Sequence, residues 1–539
     1  MNIVRVALLS VATLGIVSSA VAAAGPHAWT KTGVLRIGVV RDLDTLSPLL
    51  SGQAGATDID QFVFSGLIRY DDRGEAIPDA ATVIPSRANG GISADGKTIT
   101  YHLRHDVKFS DGQPLTADDV VYTWQQILNP KNNVPYHFPN DQAQSVIARD
   151  PYTVVVKLKE PSAPFLAQFM RCGNQGAIVP KHILAAEPDL NKSAYNSKPI
   201  GSGPFMVERY TPGSGIEFVP NPHYFGGKPK LERISYRIIP SENTLLISLQ
   251  SHDIDMYWGA PEQQYRTLRA LDGTHISALP SYQFEQIVFN SRRPPFDDRN
   301  VRIAAAHAID WDALTKNVYL DVDLPGVGDV FPKSWAFDPS VKRYDRDLGK
   351  ARELLDAAGW KVGADGIRMR DGKRLAIDIT TVNGIITRQN VEVLVQQQLK
   401  DVGFEVQVRN APASLLFSAY AAGGIFATGK FDLGIYAWTK VPEPDDTETI
   451  GPDRVPPSGA NYSGVRDPEI GRLQAAGSRE YERAKRKPIY LALQRRLHEV
   501  MPYQTMVWRA NIDAYNDDLQ NFKPGPAVSD FWNPQDWSI

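Results

Sequence analysis

Disulfide bonds are the first thing this chain cannot have. Its 539 residues hold one cysteine, Cys172, so no intramolecular bridge can form and the fold must rest on buried apolar surface. A free cysteine is usually a small buried apolar residue, and Cys172 is expected to be one. Long apolar runs are also scarce. Beyond residue 24 none approaches the roughly 20 residues that span a bilayer, so no direct membrane insertion is expected. Neither sign of charge dominates. The formal net charge of −3 gives no steering toward nucleic acid or an anionic membrane.

Catalytic constellations are missing too. The ten histidines include no His-Glu-x-x-His pair, and His102 and His105, three apart, would project to opposite faces of a strand. The stretch Gly424 to Phe431 has the glycine and lysine spacing of a phosphate loop, but Phe431 stands where a Ser or Thr must hold magnesium. Cys172 has no nucleophile setting. No catalytic residue, metal site or cofactor is therefore expected. No fixed-period repeat or low-complexity tract occurs, which removes solenoids and linker-joined arrays.

What is present begins at the N-terminus. Arg5, an apolar run from Val6 to Val17 and the small-residue stretch Ser18 to Ala24 have the order of a cleavable secretory signal, with cleavage after Ala22 or Ala24. The remaining chain would carry 57 basic and 61 acidic residues. At about 515 residues it is too long for one core and implies about three domains. With no cysteine near the cleavage region, a free periplasmic protein of a Gram-negative cell is expected rather than a lipoprotein.

Alternation of Leu35, Ile37 and Val39 predicts a strand, followed by the polar turn Arg41 to Pro48. Ile99, Tyr101 and Leu103 predict another. Thr116 and Asp119 open a helix whose apolar positions Val120, Trp124, Ile127 and Leu128 keep helical spacing. Gly201-Ser202-Gly203-Pro204-Phe205 reads as a tight crossover or as a backbone cradle for an anion. The second half has helical faces at Ala304 to Ile309, Ala351 to Ala358 and Val391 to Val402, the last two stopped by Gly359 and Gly403. Strands between them at 375–381, 404–408 and 431–438 predict an α/β lobe.

The block from Thr100 to Val120, including Phe109-Ser110-Asp111-Gly112-Gln113-Pro114-Leu115-Thr116, resembles the signature of the extracellular solute-binding proteins of the peptide, nickel and opine type, receptors of ABC importers. Gly201 to Phe205, Phe289-Asn290, Pro294-Pro295-Phe296 and the Ala351 to Gly359 helix are similar to further family motifs. Asp253-Ile254-Asp255 fits a family turn in which His252 replaces a glycine. The resemblance covers about Leu35 to Phe522. It implies an α/β, two-lobed periplasmic-binding-protein fold of three domains, with mixed sheets flanked by helices and a ligand cleft between the lobes. The implied partition is a base domain from 25–60, 196–284 and 513–539, an inserted domain at 61–195 and an opposing lobe at 285–512. Hinge segments would run near Gln283 to Phe289 and Val507 to Ala514.

The implied function is a monomeric receptor that closes on a small or peptide-like solute and hands it to ABC permease subunits. An exported hydrolase and a chaperone-like binder on the same fold are the alternatives. Ligand contacts are expected from Arg41, Asp42 and Asp44 after the first strand, from Tyr257 and Trp258, from Asn383, and from Tyr436, Trp438, Thr439 and Lys440. The resemblance aligns Lys440 or Val441 with the aspartate that grips a peptide amine in relatives. Lys440 would then meet an anionic ligand group, or else point to solvent and leave the amine to Glu443 or Asp445.

Overall fold

The computed structural model describes residues 26–40, 42–173, 176–526 and 529–539. The expected signal segment 1–24 and the expected contact Arg41 lie outside the described residues.

Strand β1 (Val34–Val39) buries Leu35, Ile37 and Val39 as their alternation requires, but its other face is covered as well. Arg36 is therefore inside. Its Nε and Nη2 donate to the Asp255 carboxylate at 2.7 and 2.6 Å, and its backbone N–H donates to the same group at 2.9 Å. The buried charge is tolerable because it is matched in a two-point pair. Gly38 lets a neighbouring layer approach: a Cβ there would fall 2.6 Å from Leu245 and 2.7 Å from Ile254. His252, which replaces a glycine in the Asp255 turn, has φ +59°, the region glycine favours. Its ring stacks on Trp29 at 3.9 Å.

Helix α1 (Ala54–Val63) buries Ile59, Phe62 and Val63. Gly201 and Gly203 pass against its end, where added Cβ atoms would lie 2.0 Å from the Val63 carbonyl oxygen and 2.6 Å from Phe64 N. Gly203 N–H donates to Val63 O at 2.8 Å. This segment is thus the crossover reading of the two, with its glycines fixed by close approach. Strand β2 (Thr98–His102) pairs in a three-stranded antiparallel sheet with β4 (Thr153–Leu158), which also pairs β3 (Ala143–Asp150). Helix α2 (Ala117–Leu128) starts where Thr116 N and Oγ1 donate to the Asp119 carboxylate at 2.8 and 3.1 Å. Val120 and Ile127 are buried, and Trp124 packs against the same core with Nε1 donating to Asn140 O.

Further along come β5 (Phe205–Thr211), β6 (Gly215–Pro220), β7 (Arg233–Ile238), β8 (Met256–Tyr257) and the 16-residue β9 (Thr274–Phe289). The second half adds α3 (Arg299–Ala308), α4 (Leu348–Ala357), β10 (Ala376–Thr380), α5 (Ile386–Lys400), β11 (Glu405–Val408) and β12 (Leu433–Thr439). Helices α6 (Pro468–Arg479) and α7 (Arg483–Val500) precede β13 (Tyr503–Asn516). One mixed sheet takes these strands in the order β11-β10-β12-β9-β13-β8-β1-β7-β6-β5, with Leu324–Pro325 pairing β13 off the path.

The antiparallel pair β9 and β13 carries the sheet from one lobe to the other. At one end Ile276 and Ala278 pair with β13 beside a core containing Leu245, Tyr257 and Ile512; at the other Ile287 and Phe289 enter a core with Val301, Val391 and Leu433. Between them the register slips twice, at Pro280/Phe284 and at Glu285/Gln286. Such bulges bend a ribbon locally while leaving its ends paired. Cys172 is buried as expected.

Candidate functional site

The two lobes meet beside the bulged pair. Tyr282, Phe284 and Trp508 from the crossing strands gather with Tyr70 from the first lobe and Phe331 from the second. Tyr282 and Phe331 rings are 4.5 Å apart, Phe284 and Trp508 4.9 Å, and Phe331 meets Trp508 edge-on at 5.3 Å. Trp508 Nε1 is buried with no hydrogen-bond partner among the described residues. Polar contacts extend the apposition: Arg483 pairs with Glu75 at 2.7 Å, and Tyr481 donates to Gly96 O at 2.8 Å while accepting from Ser162 N–H at 3.0 Å.

An ion network sits on the crossing strands. Arg509 of β13 contacts Glu262 of the first lobe, Asp323 at 3.1 Å and Glu285 of β9 at 3.4 Å. Glu285 is gripped at two points by Arg388 of α5, both at 2.9 Å. Three carboxylates thus face two guanidinium groups. Burial pushes Asp323 up to about 7, helped by Glu285 and opposed by the Ala510 N–H that donates to it.

The end of β12 brings Trp438, Thr439 and Lys440 to this junction. Trp438 is half-buried and stacks on Tyr462 with ring centroids 6.2 Å apart. Exposed Thr439 accepts a hydrogen bond from Gln283 of β9 at 3.2 Å. Lys440 corrects the expectation of a lysine free for a ligand anion or for solvent. Its Nζ is paired with Asp329, and the two side chains are 11% and 4% exposed. Its N–H also donates to Tyr282 O at 2.9 Å, tying β12 to the crossing strand. Asp446 lies near the pair, receives Gln474 Nε2 at 2.8 Å, and is pushed up to about 8 by burial and by the Asp329 charge, against the opposing pull of Lys440. The alternative carboxylates are also engaged. Glu443 is held by Arg486 at 2.5 and 3.1 Å, and Asp445 accepts from Thr447 at 2.7 Å and Ser478 at 3.1 Å.

Two other expected contacts are core residues. Tyr257 is fully buried among Leu245, Leu249, Ile254 and Leu268, and Tyr436 packs against Phe426 at 4.9 Å with 2% exposure. Both sit in sheet strands covered on two faces, where an aromatic ring fills the interior whichever way it points. Trp258 stays half-buried, donating from Nε1 to Asp530 at 3.3 Å and packing at a tilt against Phe531 with ring centroids 5.1 Å apart. Asp42 and Asp44 are exposed and shape their loop: Asp42 accepts Gly213 N–H at 2.7 Å and Asp44 accepts Ser51 Oγ at 2.7 Å. Asn383 is exposed, its N–H bound to Ala411 O at 3.0 Å. The phosphate-loop-like stretch is closed by Arg292, which donates to the Ala427 and Phe426 carbonyls at 2.9 and 2.8 Å.

Sequence reasoning missed the partners that define the junction: Tyr70, Tyr282, Phe331 and Trp508, the Asp329 mate of Lys440, and the network around Arg509. Tyr282 stood one residue outside the expected hinge segment, and Trp508 stood inside the other. Asp329 lies 111 positions from Lys440, and nothing in its local sequence marks it.

Comparison with known proteins gives concordant relatives. The family described as "Bacterial extracellular solute-binding proteins, family 5 Middle" matches residues 78–451. The oligopeptide-binding protein AppA of Bacillus subtilis is 29% identical over 516 residues, covering 94% of this chain and 91% of its own. Protein XP55 of Streptomyces lividans is 33% identical, covering 74% of this chain and 71% of its own. Among solved structures, AppA in complex with a nonapeptide superposes with a TM-score of 0.75 at 28% identity, covering 94% and 98% of the two chains. NikZ from Campylobacter jejuni in complex with Ni(L-His) superposes with a TM-score of 0.77 at 26% identity, covering 95% and 100%. Both are two-lobed binding proteins, as is this chain.

Proposed function

The chain belongs to the bacterial extracellular solute-binding proteins of family 5, and on that premise we propose that it is a periplasmic receptor that closes on a peptide-like solute and delivers it to the permease of an ABC importer. One observation carries this reading. An aromatic cluster contributed by both lobes, buried in this structure, lies directly against the bulged crossing strands, where hinge motion would expose it to a ligand. Apolar walls with a few placed polar groups suit a ligand with side chains and a polar backbone. AppA, which shares nearly the full length of this chain, is a peptide binder by name. The proposed partition keeps 25–60, 196–284 and 513–539 as base, 61–195 as inserted domain and 285–512 as opposing lobe. The half-buried or exposed side chains Trp258, Asn383, Trp438 and Thr439 are the proposed ligand contacts. Solute leaves chemically unchanged, which separates a receptor from the hydrolase alternative, and no comparison favours a hydrolase.

The test pairs calorimetry with X-ray scattering on the purified protein. A pool of short peptides is expected to bind and to reduce the radius of gyration. Binding without compaction would overturn the closure mechanism, and turnover of peptide would overturn the receptor reading.

A further inference from the structure

Among the described residues, every buried arginine except Arg171 pairs with a carboxylate or donates to backbone carbonyls. Arg36 pairs with Asp255, Arg69 with Asp79 at 3.0 Å, and Arg388 with Glu285; Arg302, lacking a carboxylate, donates to the carbonyls of Phe296, Val500 and Met501. Arg171 is 3% exposed, yet its Nε and Nη1 are buried with no partner, and it forms no ion pair among the described residues. Asp60 is the carboxyl that bears on it; burial raises the Asp60 carboxyl, and no hydrogen bond or ion pair joins the two side chains among the described residues. A dry, unpaired guanidinium is costly, and planar paired donors match a carboxylate.

Its place in the fold points the same way. Arg171 bridges to Ile68 in the short strand Ile68–Tyr70, and Tyr70 enters the aromatic junction between the lobes. The Tyr70 hydroxyl, which donates to Ala167 O at 2.8 Å, feels Arg171 from the first lobe and Glu443 from the second. Arg171 therefore stands behind the ring that lines the junction, on the lobe opposite the Lys440–Asp329 pair.

We propose that Arg171 is the anion-binding element of the interlobe site and takes the C-terminal carboxylate of a short peptide. The inference rests on the peptide-receptor reading, because the terminal carboxylate is the one anion that every unmodified peptide carries whatever its side chains. It assigns the ligand a direction, with its carboxyl end against the first lobe.

The experiment uses affinity selection and calorimetry with tetra- and pentapeptide pools lacking Asp and Glu, prepared as free acids and as C-terminal amides. The native protein is expected to prefer the free acids by about 30-fold or more, and Arg171→Met to lose that preference by weakening only the acids. Arg171→Lys keeps the charge without the fork and should restore part of it. Equal binding of acids and amides by the native protein, or a preference that survives Arg171→Met, overturns the proposal. If neither pool binds, the peptide reading fails, and ligand-free melting then judges Arg171 separately. Replacing an unpaired buried cation by an apolar group of similar length should leave the melting temperature unchanged or higher, whereas a fall would make Arg171 a structural residue and overturn its assignment to an anion.

Discussion

Replacing Lys440 by methionine separates two accounts of the junction. Lys440 and Asp329 are both nearly inaccessible, so Lys440→Met leaves a carboxylate in the dry interior beside Asp446. Removing one member of a buried pair costs about 3–5 kcal/mol. Protonation caps the loss. Holding an aspartate protonated at pH 7, against an unfolded value near 3.9, costs about 4 kcal/mol, and at pH 5 only about 1.5 kcal/mol. The expected destabilisation is therefore about 3–4 kcal/mol at pH 7, shrinking to about 1–2 kcal/mol at pH 5. Urea unfolding followed by tryptophan fluorescence, at both pH values and without ligand, measures it. The double variant Lys440→Met with Asp329→Leu should recover most of the loss, since replacing both members by apolar groups is often neutral. A ligand-facing lysine would instead leave the free protein's stability nearly unchanged and abolish solute binding. A loss under about 1 kcal/mol at pH 7, or one that does not shrink with acidification, would refute the pairing argument.

Other expectations follow from the same energetics. Asp60 and Asp446 are raised to about 8 and Asp323 to about 7, each chiefly by burial. The folded state then holds protons that the unfolded state has released, so their contribution to stability is full below about pH 4 and is lost as pH rises through about 8. Unfolding titrations across that window should show stability falling toward alkaline pH, and a rise through neutrality would contradict these burials. Gly403 has φ +98°, and its Cβ would meet Arg368 Cγ at 2.6 Å. Gly403→Ala should cost at least about 1–2 kcal/mol in thermal unfolding, and a neutral result would mean that the α5 terminus relaxes freely. Glu262 reaches from the first lobe to Arg509 on the crossing strand. Glu262→Gln should enlarge the ligand-free radius of gyration measured by scattering, and no change would show that the network does not hold the lobes together.

The local grammar of this chain was readable where one face of an element decides its pattern. Leu35, Ile37 and Val39, the Thr116–Asp119 helix start, and the stops at Gly359 and Gly403 all appear in the fold as their spacing demands. Alternation failed to separate cleft from core at Tyr257 and Tyr436 because the central sheet is covered on both faces. Charge pairing was less readable still. The Asp253-Ile254-Asp255 turn could be recognised, yet its role depends on Arg36, 219 positions earlier. Likewise, the charge of Lys440 is visible in sequence and its neutralisation by Asp329 is not. Long-range pairs depend on how strands are ordered in the sheet, and a one-dimensional pattern does not carry that order.

The central claim is reversible capture of a peptide that is not altered. Native mass spectrometry of the protein purified without denaturation, followed by sequencing of whatever it releases, tests it most directly. The account predicts a one-to-one complex from which intact short peptides are recovered, and which reforms when they are returned to the emptied protein. Recovery of a non-peptide solute, or of cleaved products when intact peptides are supplied, would contradict it.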